Sequence, residues 1–267
     1  MTICVAGISK QDSSIVVASD KMLTSTPLGS FEMDFEKYIE FSNSVLLFAG
    51  NATNQEKIHE KLKEKFSKDD KKVYMKQLVS ALEDIVFELR SELINEFLSR
   101  YDLNIKEAKN LIPSPIQNPL NDKILKVLDR ASIENQIMVA GFDEKGEPKI
   151  FGLDAVENVI QFKFVDYSGI GMHAIGSGSI QTLNSLLFAK FSKKLTTPEV
   201  VYHLYTAKKR AEVAQGVGKA TDLFMFTKSK GLEQIDGGQV MEYYKKQLKS
   251  GEKILIEFVE KWGVEHK

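Results

Sequence analysis

The chain has 267 residues, of which 43% are hydrophobic, and its 36 Lys and Arg against 37 Asp and Glu give a net charge of -1. This balance of charges excludes a net electrostatic field that would attract the protein to nucleic acid or to an anionic membrane. The single cysteine, Cys4, excludes an internal disulfide and favours a reducing compartment. The sequence has no 18-residue apolar run and no signal-peptide pattern, so we expect a cytoplasmic protein that does not enter a membrane.

The first fifty residues are typical of antiparallel strands. Two apolar segments, "TICVAGIS" and "SIVVASD", flank the turn-forming "KQDS" and predict a hairpin. After the loop "KMLTSTPLGS", the segments "EKYIEF" and "SVLLFAG" predict a second strand pair. The pattern therefore predicts four strands before any helix.

Helical patterns dominate residues 52–132. A charged amphipathic stretch, "NQEKIHEKLKEKF", comes first, and a longer helix is predicted from Tyr74 to Arg100. The apolar positions of this longer helix recur at helical spacing, at Leu78, Leu82, Ile85, Leu89 and Leu93. The proline-rich "IPSPIQNPLN" interrupts the region and predicts a surface loop or arm.

Strand patterns return in the second half of the chain. The segments "NQIMVAGFD", "PKIFGLD" and "VIQFKFV" predict a meander, and helices are predicted at "GSGS" and at "TTPEVVYHLYTAKKRAEVA". The second of these helices has Thr197 as its expected N-cap and Pro198 at its first helical position. The strands "DLFMFTK" and "LEQI" precede a C-terminal helix over about 239–261, which we expect to be disturbed at Gly251. Strands grouped with strands predict an α+β fold, with antiparallel sheets and outer helices in one domain over 1–267.

Five short stretches follow one another in an order that suggests chemistry. They are "MTICVAGI", "VVASDKMLT", Lys37 at the start of "KYIEF", "LLFAGNATN" and, much later, "HAIGSGSIQTLNSLL". In this order they resemble the proteasome β-subunit family of N-terminal nucleophile (Ntn) hydrolases, over about residues 2–56 and 136–228. The resemblance implies a four-layer α-β-β-α sandwich and is closest in style to the propeptide-less prokaryotic members. It does not extend to the enlarged helical region or to the last thirty residues.

The resemblance assigns a role to each of five residues. Thr2 matches the nucleophile, Asp20 and Lys37 the charged pair beside it, Gly50 the oxyanion-hole position and Ser177 the serine of the Gly-Ser-Gly. An α-amine with an ordinary pKa near ~8 can accept the threonine proton close to neutral pH. A neighbouring ammonium would keep that amine neutral and lower the pKa of the hydroxyl, while a carboxylate compensates its charge.

Each of these residues also has an ordinary structural interpretation. Asp20 would simply end a strand, and Lys37 would be a solvated lysine at a strand edge. Gly50 with Asn51 reads equally well as a turn before a helix N-cap, and Ser177 as a helix cap or anion binder. The five residues in this order, rather than any one of them, point to a hydrolase.

The sequence departs from the family pattern in three places. The family carries an Asp and a Ser shortly before the last core strand that hold the terminal amine, whereas this chain reads "EVAQGVGKATDLF", with Glu212 or Asp222 as replacements. Only Met1 precedes Thr2, so methionine removal would be the sole maturation step. The chain also has about thirty more helical residues between Gly50 and Gly141 than the family leads us to expect.

The resulting prediction is a threonine-type endopeptidase that forms an acyl-enzyme on Thr2. Two alternatives stay open: a catalytically silent scaffold subunit, and a transamidase that passes the acyl group to an amine. The resemblance implies a peptide or unfolded polypeptide substrate, a homo-oligomer and an ATP-dependent unfoldase as partner.

We expect neither a cofactor nor a metal, and no nucleic-acid partner. The histidines are scattered, "GVGKAT" fails the phosphate-loop pattern at both ends, and Cys4 is interpreted as a core residue. His203 is interpreted as a packed or half-buried residue. The histidines are His59, His173, His203 and His266.

Overall fold

The computed structural model describes residues 2–11, 13–25, 29–33, 35–66, 73–111, 119–153 and 163–265. The strands are β1 Cys4–Ser9, β2 Ser14–Asp20, β3 Met22–Ser25, β4 Gly29–Glu32, β5 Tyr38–Phe41, β6 Ser44–Ala49, β7 Gln136–Phe142, β8 Pro148–Leu153, β9 Val165–Asp166, β10 Met172–Ile175, β11 Thr221–Thr227 and β12 Gly231–Gln234. The helices are α1 Ala52–Phe66, α2 Met75–Ser99, α3 Ile105–Leu111, α4 Pro119–Arg130, α5 Ser179–Phe188, α6 Thr197–Ala211 and α7 Gly237–Glu265.

Two five-stranded antiparallel sheets form the centre of the fold. The first sheet has the order β10-β1-β2-β11-β12, and the second has the order β5-β6-β7-β8-β9. Sequential strands pair through short connections within each sheet, as antiparallel pairing allows. The predicted α+β class with antiparallel sheets is confirmed.

Both faces of the central strands are buried, which explains their unbroken apolar runs. Between the sheets, residues from both contribute to one core cluster: Cys4, Ala6, Ile8, Ile15, Val17, Val45, Leu47, Ala49, Met138 and Ala140 among others. The outer face of the second sheet packs against α1 and α2, and the outer face of the first against α5, α6 and α7. This layering is compatible with an α-β-β-α sandwich.

Helix α2 changes partner along its length. Leu78, Leu82, Ile85 and Leu89 are buried as predicted and belong to the cluster over the second sheet. Leu93 is 41% exposed, because the C-terminal half of α2 turns Ile94 and Leu98 towards α3 and α4 instead. Part of the enlarged helical region therefore forms a small core of its own.

Several local predictions were wrong. The loop "KMLTSTPLGS" contains most of a β3–β4 hairpin, so in the described residues six strands precede α1. Thr196, not Thr197, caps α6, because it has the extended backbone and the capping box with Glu199, while the Thr197 hydroxyl is bonded to Ser14 Oγ at 2.6 Å. Helix α7 runs through Gly251 without interruption. The pattern also missed the edge strand β10, which pairs with β1.

Some predictions fall on residues that the structure does not describe. Residues 112–118 of the proline-rich loop lie outside the described residues, as do residues 154–162, which include the start of "VIQFKFV". Among the helices of the described part of the chain, none is both long enough and apolar enough to cross a membrane.

Candidate active site

The candidate site lies where both sheets meet at one end. Thr2 lies two residues before β1, Asp20 is the last residue of β2, and Lys37 directly precedes β5 of the second sheet. The backbone N–H of Asp20 donates to the Ile3 carbonyl at 3.1 Å, which holds the end of β2 beside the start of the chain. The Lys37 carbonyl accepts the Phe48 N–H at 2.9 Å, which anchors the lysine to β6.

The side chains of Thr2, Asp20 and Lys37 contact one another. The Lys37 Nζ donates to Asp20 Oδ1 at 2.6 Å and also to Thr2 Oγ1. The Thr2 hydroxyl in turn donates to Asp20 Oδ1. All three residues are buried, with exposures of 3%, 0% and 4% for Thr2, Asp20 and Lys37. A buried ammonium is therefore paired with a buried carboxylate, and a hydroxyl oxygen contacts both.

Both oxygens of Asp20 are held by backbone amides. Oδ1 accepts the Ile3 N–H at 3.0 Å, and Oδ2 accepts the Gly218 N–H at 2.6 Å. The arrangement therefore fixes the direction in which Asp20 presents Oδ1 to the hydroxyl and the ammonium.

The Gly-Ser-Gly segment holds the main chain of Thr2. The Thr2 carbonyl accepts the Gly178 N–H and the Ser177 hydroxyl, each at 3.3 Å. Gly176 has φ +98°, and a Cβ there would lie 2.3 Å from the Thr2 oxygen. Ser177 thus positions the backbone of Thr2, and glycine at 176 permits the close approach.

Gly50 is placed differently from the other four predicted residues. It follows β6 with φ +124°, and a Cβ at this position would lie 2.1 Å from the Glu134 carbonyl. Its described neighbours belong to the segment before β7, where Asn135 Nδ2 donates to the Asn51 carbonyl at 2.9 Å. The structure therefore gives a reason for glycine here, and the described contacts do not join it to Thr2.

Cys4 lies beneath the site on the inner face of β1. It is fully buried, and its thiol donates to the Phe48 carbonyl at 3.5 Å. Burial raises the pKa of this thiol to about 12, although the nearby Lys37 ammonium acts in the opposite direction. Cys4 is therefore a neutral core residue near neutral pH.

The two acidic residues considered as holders of the terminal amine lie in other contacts. Glu212 Oε1 accepts Lys208 Nζ at 2.8 Å and Lys209 Nζ at 2.6 Å. Asp222 pairs with Lys21 at 3.3 Å. The structure gives neither residue a described hydrogen bond to Thr2.

Sequence reasoning missed the loop that holds Asp20 and the lysine behind it. Lys208 is completely buried in α6, although the sequence pattern predicted only a helix for the segment that contains it. Its position did carry a signal: it follows Val200 and Leu204 on the apolar face of the helix at intervals of four. A lysine in an apolar stripe predicts a buried ammonium with specific partners.

A cleft of about 670 Å³ adjoins the segment that carries Lys37. Residues on both sides of the lysine line it, together with the first two turns of α1. His59 at this cleft has a pKa lowered by partial burial and by Lys63. The lining residues are Phe35, Glu36, Tyr38, Ile39, Glu40, Gln55, Glu56 and His59.

The other titratable side chains that the structure describes were considered as metal ligands. Within the described ranges, no group of three His, Cys, Asp or Glu side chains is arranged to hold a metal ion. His203 is partly buried, its pKa is lowered by that burial, and it packs edge-on against Phe191 at 6.4 Å.

Neither a protein-family model nor a curated protein sequence matches the chain.

Proposed function

We propose that the chain is an Ntn hydrolase of the proteasome β-subunit type, which cleaves amide bonds in polypeptides with Thr2 as nucleophile. The observation that carries the proposal is the buried contact of Lys37 Nζ with both Thr2 Oγ1 and Asp20 Oδ1. The strand order also supports this fold family, because the N-terminal strand β1, which follows Thr2, lies inside the first sheet between β10 and β2.

The mechanism begins with removal of Met1, which gives Thr2 a free α-amine. The Thr2 hydroxyl oxygen attacks the substrate carbonyl while its proton passes to the α-amine. The C–N bond then breaks, the leaving amine takes that proton, and an ester joins the acyl group to Oγ1. Water attacks this ester, gives its proton to the α-amine, and releases the acid with the hydroxyl restored.

The surrounding residues support each of these steps. The Lys37 ammonium favours the developing alkoxide and the neutral α-amine, while Asp20 compensates the buried positive charge. Ser177 and Gly178 fix the Thr2 carbonyl and so the direction of the nucleophile. The resemblance, rather than a described contact, assigns the backbone donor to the oxyanion to Gly50, and one such donor is worth roughly 3 to 4 kcal/mol.

The test is intact mass measurement before and after treatment with a β-lactone probe, followed by peptide mapping. The lactone carbonyl is attacked by Oγ1 and the ring opens, so the adduct retains the whole mass of the probe. We expect a protein without Met1 that gains one adduct on Thr2, and no adduct in Thr2→Ala.

The matched control is Thr227→Ala, at the opposite end of the first sheet, where Thr227 pairs with Ser14. It should react like the wild type. A folded wild type that keeps Met1, or gains no probe mass, would contradict the proposal and favour the silent scaffold subunit. The homo-oligomer and the ATP-dependent unfoldase stay predictions from the resemblance.

A further inference from the structure

A second buried lysine lies behind the site. Lys208 Nζ donates to Glu212 Oε1 at 2.8 Å and to three consecutive carbonyls, those of Gly218, Lys219 and Ala220, at 2.7, 3.0 and 3.1 Å. An ammonium has three protons to donate, so this shell leaves none of them unsatisfied. Burial lowers the pKa of Lys208, whereas Glu212 and, less strongly, Asp20 favour its charged form.

The backbone N–H groups of the same three residues donate hydrogen bonds to carboxylates, on the side away from Lys208. The Gly218 N–H donates to Asp20 Oδ2 at 2.6 Å, and the N–H groups of Lys219 and Ala220 both donate to Glu32 Oε1, the latter at 2.9 Å. Three successive residues therefore lie between a buried ammonium on their carbonyl side and two carboxylates on their amide side. The dipoles of these peptide groups align with this arrangement of charges. The hydrogen bonds at the carbonyls and those at the amides therefore strengthen one another.

We infer that Lys208 is a positioning residue for the nucleophile: its ammonium holds loop 218–220 so that the Gly218 N–H fixes Asp20 against Thr2 and Lys37. The effect of Lys208 on the reaction rate rests on the proposed function, whereas its effect on loop 218–220 rests on geometry alone. Lys208 acts through Gly218 and then Asp20, and touches no reacting atom. It also supplies a reason why the buried face of α6, which is mostly apolar, contains a lysine.

A purely structural lysine would affect stability but not the orientation of Asp20. The neighbouring Lys209 provides the matched comparison, because it also donates to Glu212 Oε1, at 2.6 Å. The loop carbonyls, in contrast, are bonded to Lys208. Lys208→Met keeps the length and apolar stem of the side chain and removes the ammonium. Lys209→Met removes the other bond to Glu212 and leaves the loop clamped.

The first arm of the experiment measures hydrogen exchange at the Gly218 amide by NMR on the full-length chain. We expect exchange at least ~10-fold faster in Lys208→Met and unchanged in Lys209→Met, because only the former releases the loop. This readout does not depend on catalysis. Equal exchange in the two variants would overturn the inference.

The second arm measures kinact and KI with the β-lactone probe. A loosened Asp20 should lower kinact by roughly 10- to 100-fold in Lys208→Met, because a misplaced nucleophile reacts slowly, with KI nearly unchanged. Lys209→Met should keep both constants. A Lys208→Met protein with wild-type kinact would overturn the positioning role and leave the proposed function intact.

The inference about Lys208 can still be tested if the wild type does not react or if Lys208→Met does not fold. A wild type that does not react contradicts the proposed function, and the exchange arm then decides alone whether Lys208 positions Asp20. If Lys208→Met does not fold, Glu32→Ala loosens the same loop from its exposed side. It should show faster Gly218 exchange and a smaller fall in kinact, and the absence of both changes would overturn the inference.

Discussion

The two buried lysines, Lys37 and Lys208, have different surroundings that suit different tasks. Lys37 donates to a carboxylate and to a hydroxyl, which can gain negative charge during a reaction. Lys208 donates to one carboxylate and three backbone carbonyls, and to no hydroxyl that could act as a nucleophile. A lysine that faces a potential nucleophile can tune it, whereas one surrounded by carbonyls can only hold a backbone in place. The predictions below test that difference.

The largest expected effect is that of Lys37→Met. It leaves the Asp20 carboxylate buried without its partner, which costs about 3 to 5 kcal/mol of unfolding free energy. We also expect acylation of Thr2 to fall roughly 10²- to 10⁴-fold, because the hydroxyl loses the group that tunes it. Urea unfolding and probe kinetics measure the two effects.

The double variant Asp20→Asn/Lys37→Met separates those two effects. With both charges gone, much of the stability should return, while acylation stays as slow as in Lys37→Met. Recovery of acylation in the double variant would show that Lys37 serves only to balance Asp20.

Lys208→Met should be less destabilising, at about 3 kcal/mol, because Glu212 keeps its bond to Lys209. The difference from wild type should depend on pH in a definite direction. Since the folded pKa of Lys208 is lowered, the unfolded chain binds more protons between that pKa and the ordinary lysine value near ~10.4. Wild-type stability therefore gains on that of Lys208→Met as pH rises through this alkaline range. Urea midpoints at stepped pH values test this, and a difference that shrinks with rising pH would contradict it.

Gly176→Ala tests how strictly the Thr2 main chain must be held beside Lys37. The added Cβ would meet the Thr2 oxygen at 2.3 Å in a left-handed backbone conformation, so we expect a loss of about 2 kcal/mol and slower acylation. Gly169→Ala is the control, because a Cβ there has no heavy atom within 4 Å. Thermal unfolding and probe kinetics on both variants give the comparison, which fails if the two behave alike.

The smallest effect is expected at Cys4, two residues from Thr2 and close to the same ammonium. Because burial holds the pKa of its thiol at about 12, the folded protein should resist alkylation by iodoacetamide at pH 8. Cys4→Ala should retain the β-lactone adduct with kinact within about twofold of wild type. Rapid alkylation, or a probe adduct on Cys4, would show that Lys37 activates the thiol rather than the hydroxyl.

The sequence was sufficient to predict the secondary structure where the local pattern and the fold agree. The apolar runs of β1, β2, β6 and β7 predicted buried antiparallel strands, because strands covered on both faces need apolar residues throughout. The β3–β4 hairpin was missed because its threonine, serine, proline and glycine content is also typical of an irregular loop. The N-cap Thr196 was missed although the sequence contains its signal, the capping-box spacing of three residues to Glu199.

The candidate site was predictable in its side chains but not in its backbone partners. Thr2, Asp20 and Lys37 were identified by residue type and order, and the structure brings them into contact. The Gly218 amide that fixes Asp20 carries no side-chain pattern, since every non-proline residue has such a donor. Its location depends on Lys208, whose burial is indicated by its spacing from Val200 and Leu204, although the sequence does not show which loop this lysine bonds.

The central claim is that the free amine and the hydroxyl of Thr2 act together beside Lys37. The most direct measurement is the rate of Thr2 acylation by the β-lactone in the processed wild type and in a variant with one alanine inserted between Met1 and Thr2. The account predicts that the wild type is acylated and that the variant, in which the Thr2 amine is tied up in a peptide bond, is not. Equal acylation of Thr2 in both proteins would contradict it.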